Sequence, residues 1–379
     1  MPVKDLAFRR AAPALAAFAA VRLLGVGALA LWCAAAGTSP HTLLSARWDS
    51  LWYARIAAEG YGYEVALPSG AVHSNLAFFP LLPWLERLVA APTGLSYGSA
   101  GLVVSAVAGL AAAWGIFAVA ALACAERIPR ADPRRAGVFA VAVWAALPVS
   151  IVQSMAYSES LFTALAAWSL YAALRGRWPA AGLLAAAAGL TRPVGAAVAA
   201  AVWVAAALAW RRGERSWRMA VGVALAPAGA AAYALWVGAR TGRGPTGYLD
   251  VQAGWGNGFD GGWAFARFIG AKLASGSVAA GLGLIAGVAL VLWLYALCVR
   301  QRQPAPLLVY CGIVVALALC ASGYFGSKPR LLLPAFPLLL PAAVALARAR
   351  TGRAAAVLGA VALASAVYGA FWLNGSGPP

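Results

Sequence analysis

Apolar residues run along this chain in unbroken blocks of membrane-spanning length, without the alternation that marks half-buried strands or the narrow stripe of a water-soluble helix. The blocks fall at 12–36, 96–124, 137–156, 158–174, 179–191, 193–210, 219–239, 274–299, 306–322, 331–347 and 354–373. They predict an all-α, polytopic membrane protein of about eleven transmembrane helices, one integral membrane domain over 1–379. Most connections are short. Two are long, 37–95 and 240–273, and a connection that long usually carries function.

Composition agrees. The 379 residues are 63% hydrophobic and 11% charged, with a mean hydropathy of +0.79. A soluble fold cannot cover its surface with so few charges. The net charge of +18 does not point to nucleic acid, because the basic residues punctuate the apolar blocks instead of gathering in one patch. Placing the N-terminus inside puts 18 of the 29 basic residues, against four acids, on the inner face. That bias predicts a cell-membrane protein with a cytoplasmic N-terminus and both long connections on the extracytoplasmic side. Lys4, Arg9 and Arg10 before the first block resemble a signal-peptide n-region, but no clear cleavage site follows, so the block reads as the first span. The five cysteines, at 33, 124, 298, 311 and 320, lie in apolar surroundings at no ligand spacing and read as small core residues. Two histidines are too few for a protein-held zinc site. The richness in Ala, Gly, Arg and Trp suggests a GC-rich bacterial genome.

Chemistry concentrates in 37–95. In Arg47-Trp48-Asp49-Ser50-Leu51-Trp52-Tyr53 acids, bases and aromatics crowd together. A helix over 47–60 would place Trp48, Leu51, Trp52 and Ile56 on one face, end at Gly60 and lie at the membrane interface. Asp49 and Tyr53 would sit at the edge of that face. Residues 61–75 read as a polar loop. Residues 76–92, apolar but carrying Pro80, Pro83 and Glu86-Arg87, read as a short re-entrant or interfacial segment. Asp49 could take a proton from an acceptor hydroxyl as a general base, kept ionised by Arg47 and Arg55. It could equally be a helix N-cap.

Four further places draw attention. Glu159 lies where two blocks meet, and ionisable residues at membrane depth are functional by default, although a cap or turn would also use one. Thr191-Arg192-Pro193 splits an apolar run into two short ones, where a guanidinium could hold a phosphate or merely snorkel to the headgroups. Lys328 and Arg330, cations on the face where cations are disfavoured, suit an anionic ligand such as a lipid phosphate, or ordinary headgroup contact. Gln252, Trp255, Asn257, Asp260 and Trp263 in the second connection could stack on and hydrogen-bond a sugar, or form an aromatic interfacial loop. No G-x-x-x-x-G-K-[ST] loop is present, which argues against an ATP-driven pump.

The run Arg47-Trp48-Asp49, Trp52-Tyr53, Ile56-Ala57 and Glu59-Gly60-Tyr61, followed by Ala77-Phe78-Phe79-Pro80-Leu81-Leu82-Pro83, resembles the first outer loop of the PIG-V-like family, the GPI mannosyltransferase II enzymes and their bacterial relatives. The resemblance continues at Tyr157-Ser158-Glu159-Ser160-Leu161-Phe162, at Gly189-Leu190-Thr191-Arg192-Pro193, at Gln252-Ala253-Gly254-Trp255-Gly256 and at the basic turn before Pro334. It implies a GT-C glycosyltransferase fold and a polyprenyl-phosphate sugar donor used on the non-cytoplasmic face, with mannose transferred under inversion. The acid matching Asp49 would be the general base. Arg192, Lys328 and Arg330 would bind the donor phosphate. Arg47, Trp48, Trp52, Tyr53, His73, Glu159, Gln252, Trp255 and Asp260 would line the substrate site. No cofactor is expected, and a divalent metal stays open. The acceptor, a glycan, lipid or protein, is not named by any residue. A lipid-linked-sugar flippase or a non-catalytic scaffold of glycan assembly are the competing classes.

Overall fold

The computed structural model describes residues 3–127, 131–375 and 377, and of residues 3–8 the backbone alone. The Lys4 side chain and Arg130, two of the cations counted on the inner face, lie outside the described residues. Each of the eleven apolar blocks is helical. The first is α1 (Val3–Ala36). The long connection after it folds into α2 (Pro40–Ser45), α3 (Asp49–Glu59), a two-stranded antiparallel hairpin of β1 (Glu64–Ala66) and β2 (Val72–Ser74), and α4 (Leu81–Thr93). The hairpin corrects the reading of 61–75 as a plain loop. Val65 pairs with His73, and the turn closes with Gly70 at φ 83° donating to the Leu67 carbonyl at 2.9 Å. Pro80 and Pro83 do not break the next segment. They sit at the N-cap and first turn of α4, where a missing N–H costs nothing.

The bundle continues with α5 (Tyr97–Arg127), α6 (Pro133–Ala145), α7 (Glu159–Leu174), α8 (Trp178–Gly189), α9 (Gly195–Arg211), α10 (Trp217–Leu225) and α11 (Ala228–Thr241). Then come α12 (Gly247–Gly254) and α13 (Trp263–Ala274) in the second long connection. The chain ends with α14 (Val278–Arg300), α15 (Ala305–Cys320), α16 (Lys328–Leu331), α17 (Leu340–Arg348) and α18 (Thr351–Asn374). Prolines break three of the blocks. Pro148 follows the end of α6 and a 3₁₀ turn over Ser150–Ser154 comes next, Pro227 separates α10 from α11, and beyond Pro334 the chain bends by 75°.

Among the described residues five helices are long and apolar enough to cross a membrane, or six if the bent pair Phe325–Leu331 and Phe336–Arg348 is one span. The helices Trp178–Gly189, Gly195–Arg211 and Ala305–Cys320 are apolar but shorter. The chain is a multi-pass membrane protein. Its large exposed side chains suit a lipid surround, for example Leu23, Leu31, Trp293 and Phe371. Its core is built largely of Ala, with Trp144, Phe162, Leu170 and Tyr310 as bulky anchors. Small residues let helices approach. A Cβ on Gly189 would stand 2.6 Å from the Ala230 nitrogen, and one on Gly109 2.8 Å from the Phe18 ring.

A candidate active site on the first long connection

Asp49 is the first residue of α3, and Trp48, not Asp49, holds the N-cap position without a side-chain cap bond. The capping reading of Asp49 therefore falls, since its carboxylate reaches elsewhere. Trp48 has φ 50° and ψ −120°, a strained conformation for a residue with a side chain. Around it Arg47 donates to the carbonyls of Leu373 at 2.6 Å and Gly375 at 3.0 Å and lies 4.0 Å over the Trp48 ring. Arg47 thus ties the start of α3 to the end of α18, where a cation suits the free carbonyls. The buried face of α3 is Ser50, Tyr53, Ile56 and Ala57, while Leu51 is 54% exposed. The expected stripe through Leu51 is corrected, and Tyr53 faces the protein instead of its edge. Gly60, at φ 81°, ends the helix by donating to the Ile56 carbonyl.

The Asp49 carboxylate meets Arg330 of α16, Nη1 to Oδ2 2.6 Å. Arg330 also turns its Nε to Glu159 at 3.5 Å, and Glu159 holds Arg192 at 2.5 Å. Arg192 donates on to the Ser158 hydroxyl at 3.3 Å, which lies 2.9 Å from the Tyr53 hydroxyl. A continuous chain of charge and hydrogen bonds thus runs from Asp49 through Arg330, Glu159, Arg192 and Ser158 back to Tyr53, one turn along α3. Tyr157 completes it. Its ring lies 5.1 Å under the Arg330 guanidinium, and its hydroxyl accepts from the Asp49 N–H at 3.4 Å. Burial pushes the Tyr53 and Tyr157 phenols up, with the Asp49 and Glu159 charges acting in the same direction. Both stay neutral hydrogen-bonding groups.

Exposure divides the four charges. Asp49 keeps 28% of its side chain open, against 14% for Arg192, 10% for Arg330 and 2% for Glu159. Glu159 is almost completely buried. It is an internal partner of two arginines. Arg22, in the first block, is bonded instead to Ala145 and Ser150 at the break after α6.

Beside Asp49 stands a wall of aromatic rings. Trp52 stacks on Phe78 with centroids 5.6 Å apart and meets Trp255 edge-on at 4.9 Å. His73 of the hairpin lies flat on Trp255 at 4.0 Å. Phe78 touches Tyr53 and Trp255, Tyr63 touches Trp52, and the Arg55 guanidinium lies 3.7 Å over the Tyr63 ring. The Trp255 indole donates to the Ser74 carbonyl at 3.0 Å. Gln252 donates to the Tyr248 hydroxyl at 2.6 Å and accepts from Asn257 at 2.8 Å. The two long connections, far apart in sequence, thus build one wall.

Two expected members stand apart. The Lys328 ammonium donates to the carbonyls of Ala318 at 2.7 Å and Ala321 at 2.8 Å, with the Phe265 ring 4.6 Å away. It closes the end of α15. Asp260 caps the start of α13, accepting from the N–H groups of Gly262 and Ala264. Among the described residues no hydrogen bond or ion pair joins either to the Asp49 chain, and no three His, Cys, Asp or Glu side chains converge as a metal site. Sequence reasoning passed over Phe78, Tyr157 and Ser158 as site members. Their signal was their place inside the motifs Ala77-Phe78-Phe79-Pro80 and Tyr157-Ser158-Glu159.

Residues 37–209 match the model of a family described as mannosyltransferase (PIG-V). That range, a little under half the chain, holds Asp49, the aromatic residues through Phe78, Glu159 and Arg192, and ends before Arg330. No curated protein matches the chain. Among solved structures the chain is similar to ArnT from Cupriavidus metallidurans bound to undecaprenyl phosphate. The identity is 18% and the TM-score 0.53, over 89% of this chain and 62% of that one. The apo state of the same protein gives 18% identity and a TM-score of 0.49, over 80% and 56%. The chain thus spans less than two thirds of ArnT, and the likeness is one of fold, the GT-C fold that the sequence motifs imply.

Proposed function

We propose, on the premise of a PIG-V-type sequence laid on a GT-C fold, that the protein is a glycosyltransferase that moves a mannosyl residue from a polyprenyl-phosphate donor to an acceptor hydroxyl, with inversion, on the extracytoplasmic face. The observation that carries this reading is Asp49. It is the one accessible acid of the four-charge chain, held by an arginine at 2.6 Å and flanked along α3 by Trp52 and its aromatic wall. A general base needs reach to a substrate proton, a phosphate-leaving reaction needs fixed cations, and a sugar needs flat faces to pack on. All three meet here. The polyprenyl donor is supported by the undecaprenyl phosphate bound to ArnT, and mannose by the matched family. The extracytoplasmic side rests on the distribution of Lys and Arg.

In the proposed step the acceptor hydroxyl gives its proton to Asp49 while its oxygen forms a bond to the anomeric carbon. The bond from that carbon to the donor phosphate oxygen breaks, and the electron pair leaves with polyprenyl phosphate, whose added charge Arg330 and Arg192 receive. Glu159 is almost completely buried, which leaves Asp49 as the accessible carboxylate of the chain and suits a single base acting in an inverting displacement. The leaving phosphate needs no acid to protonate it. Lys328 holds the end of α15 through the Ala318 and Ala321 carbonyls.

The test is transfer from polyprenyl-phosphate-mannose by the purified protein in lipid, with a membrane extract supplying acceptors. Asp49→Asn should lower the rate by about 10²–10⁴-fold, the usual worth of a general base, while still binding polyprenyl phosphate. Unchanged transfer by that variant would remove Asp49 from the mechanism. Absence of transfer by the wild type from this and other polyprenyl-phosphate sugars would sink the enzyme reading.

A further inference from the structure

Glu159 opens α7, and its Oε1 atom faces two guanidiniums at once, Arg192 at 2.5 Å and Arg330 at 3.5 Å. Arg330 in turn reaches Asp49 with its Nη1 at 2.6 Å. One arginine therefore lies between an exposed acid and a buried one, and the four formal charges cancel. An acid locked against a guanidinium is a poor base, because taking up a proton breaks the ion pair. Something must loosen Arg330 from Asp49 before an acceptor can be deprotonated, and Arg330 must not swing away when it lets go.

We propose that Glu159 is a positioning residue of the transfer reaction, holding Arg192 and Arg330 as a matched pair for the donor phosphate and keeping Arg330 in place when the phosphate draws it off Asp49. This rests on the roles given above to Asp49 and Arg330. A phosphate entering beside Asp49 offers Arg330 a new anionic partner and satisfies its Nη groups, while the Nε stays on Glu159. Asp49, released, is free to take the acceptor proton. The donor thus switches on its own base. The groups facing the cluster fit this account. Tyr157 supports the Arg330 plane and accepts from the Asp49 backbone, Ser158 and Tyr53 fix Arg192, and from α4 Arg87 is turned to the Ala57 and Ala58 carbonyls.

Charge arithmetic sets the sign of the test. Glu159→Gln removes one negative charge from a neutral cluster, so an anion should bind more tightly, while Arg330 is left with Asp49 as its one acidic partner. In the full-length protein in lipid, Glu159→Gln should bind undecaprenyl phosphate tighter than wild type and show a lower KM for the donor. Its kcat should fall by about ten- to hundredfold, the worth of a charge-assisted hydrogen bond. Glu159→Asp, which keeps the charge, should recover much of the kcat. Asp49→Asn, a change at a half-buried position that frees Arg330, should also bind undecaprenyl phosphate tighter than wild type. Loss of affinity and of kcat together in Glu159→Gln, with no recovery by Glu159→Asp, would mark a merely structural role and overturn the proposal. So would an Asp49→Asn variant that binds no better than wild type. If the wild type neither binds undecaprenyl phosphate nor transfers sugar from polyprenyl-phosphate-mannose, the preceding reading fails and this one with it. If the wild type does both and only the variants misbehave, this proposal alone fails.

Discussion

Glu86 is a second buried acid, and among the described residues it has no ion-pair partner. It sits in α4, 0% exposed, with neither carboxylate oxygen hydrogen-bonded among the described residues. Burial pushes its carboxyl up to about 9 from the ordinary 4.5. The folded state therefore holds it protonated at neutral pH while an unfolded chain would ionise it. A raised acid stabilises the fold at low pH and loses that contribution as pH rises. The loss begins near pH 4.5, where the unfolded chain releases its proton, and ends near pH 9, where the folded one does. Glu86→Gln cannot ionise and should escape this loss. Its melting temperature should exceed the wild type's by a margin that grows from pH 5 to pH 8.5, and a margin independent of pH would show that Glu86 does not titrate alone. The contrast with Glu159 is instructive. Both are buried, but Glu159 has two arginines to keep it charged, and Glu86 has none among the described residues.

The elements explain why the site is where it is. α3 and α4 dock on α5 because α5 offers small residues. A Cβ on Gly101 would come 2.5 Å from Glu86 Oε1 and 2.8 Å from the Ala156 Cβ. Gly101→Ala should destabilise the protein by about 1–3 kcal/mol, the usual cost of overpacking. Adding Glu86→Ala should recover part of it, since only one of the two clashes is relieved, and full additivity in thermal denaturation would show that the helices do not meet there. The wall from the second connection is equally specific. Trp255→Ala removes the ring against Trp52, Phe78 and His73 and should raise the acceptor KM by about tenfold, a few aromatic contacts' worth. An unchanged KM would take Trp255 out of the proposed sugar pocket. The helices themselves were legible as apolar blocks, because lipid forces backbone groups to pair within a helix. The hairpin was missed since each arm is three residues long, although Tyr63 to Val65 and Val72-His73 around Pro68-Ser69-Gly70 carry a turn signal. Motifs named Asp49, Arg192, Glu159 and Arg330 one by one. Their linkage could not be read, because they come from four distant segments and nothing in one sequence says which acid meets which arginine. The local bonds of Lys328 to the end of α15 and of Asp260 to the start of α13 were equally unreadable from the motifs.

At the scale of the molecule, the chemistry lies on one side of the bundle and the arginine-rich turns on the other. The turns Arg175-Gly176-Arg177, Arg211-Arg212-Gly213 and Arg300-Gln301-Arg302 end or precede helices whose other ends lead to the Asp49 chain: α7 begins at Glu159, α9 just after Arg192, and α15, which follows the third turn, leads into α16 with Arg330. In the proposed orientation, with the arginine-rich turns inside, the site lies away from the cytoplasm. That is the side on which a polyprenyl-linked donor is useful, since no nucleotide is needed to drive the transfer. The orientation can be read with single cysteines, because four of the five native ones are buried and the fifth is half-buried, so alanine replacements give a quiet background. Ser69→Cys in the exposed hairpin turn should react with a membrane-impermeant maleimide in intact cells. Glu214→Cys, on the exposed turn after α9, should react only after the cells are opened. Labelling of Glu214→Cys in intact cells would reverse the orientation and turn Asp49 to the cytoplasm. A donor carried on the outer leaflet could then not reach it, and the transfer reaction would have to be sought with sugars presented on the inner one.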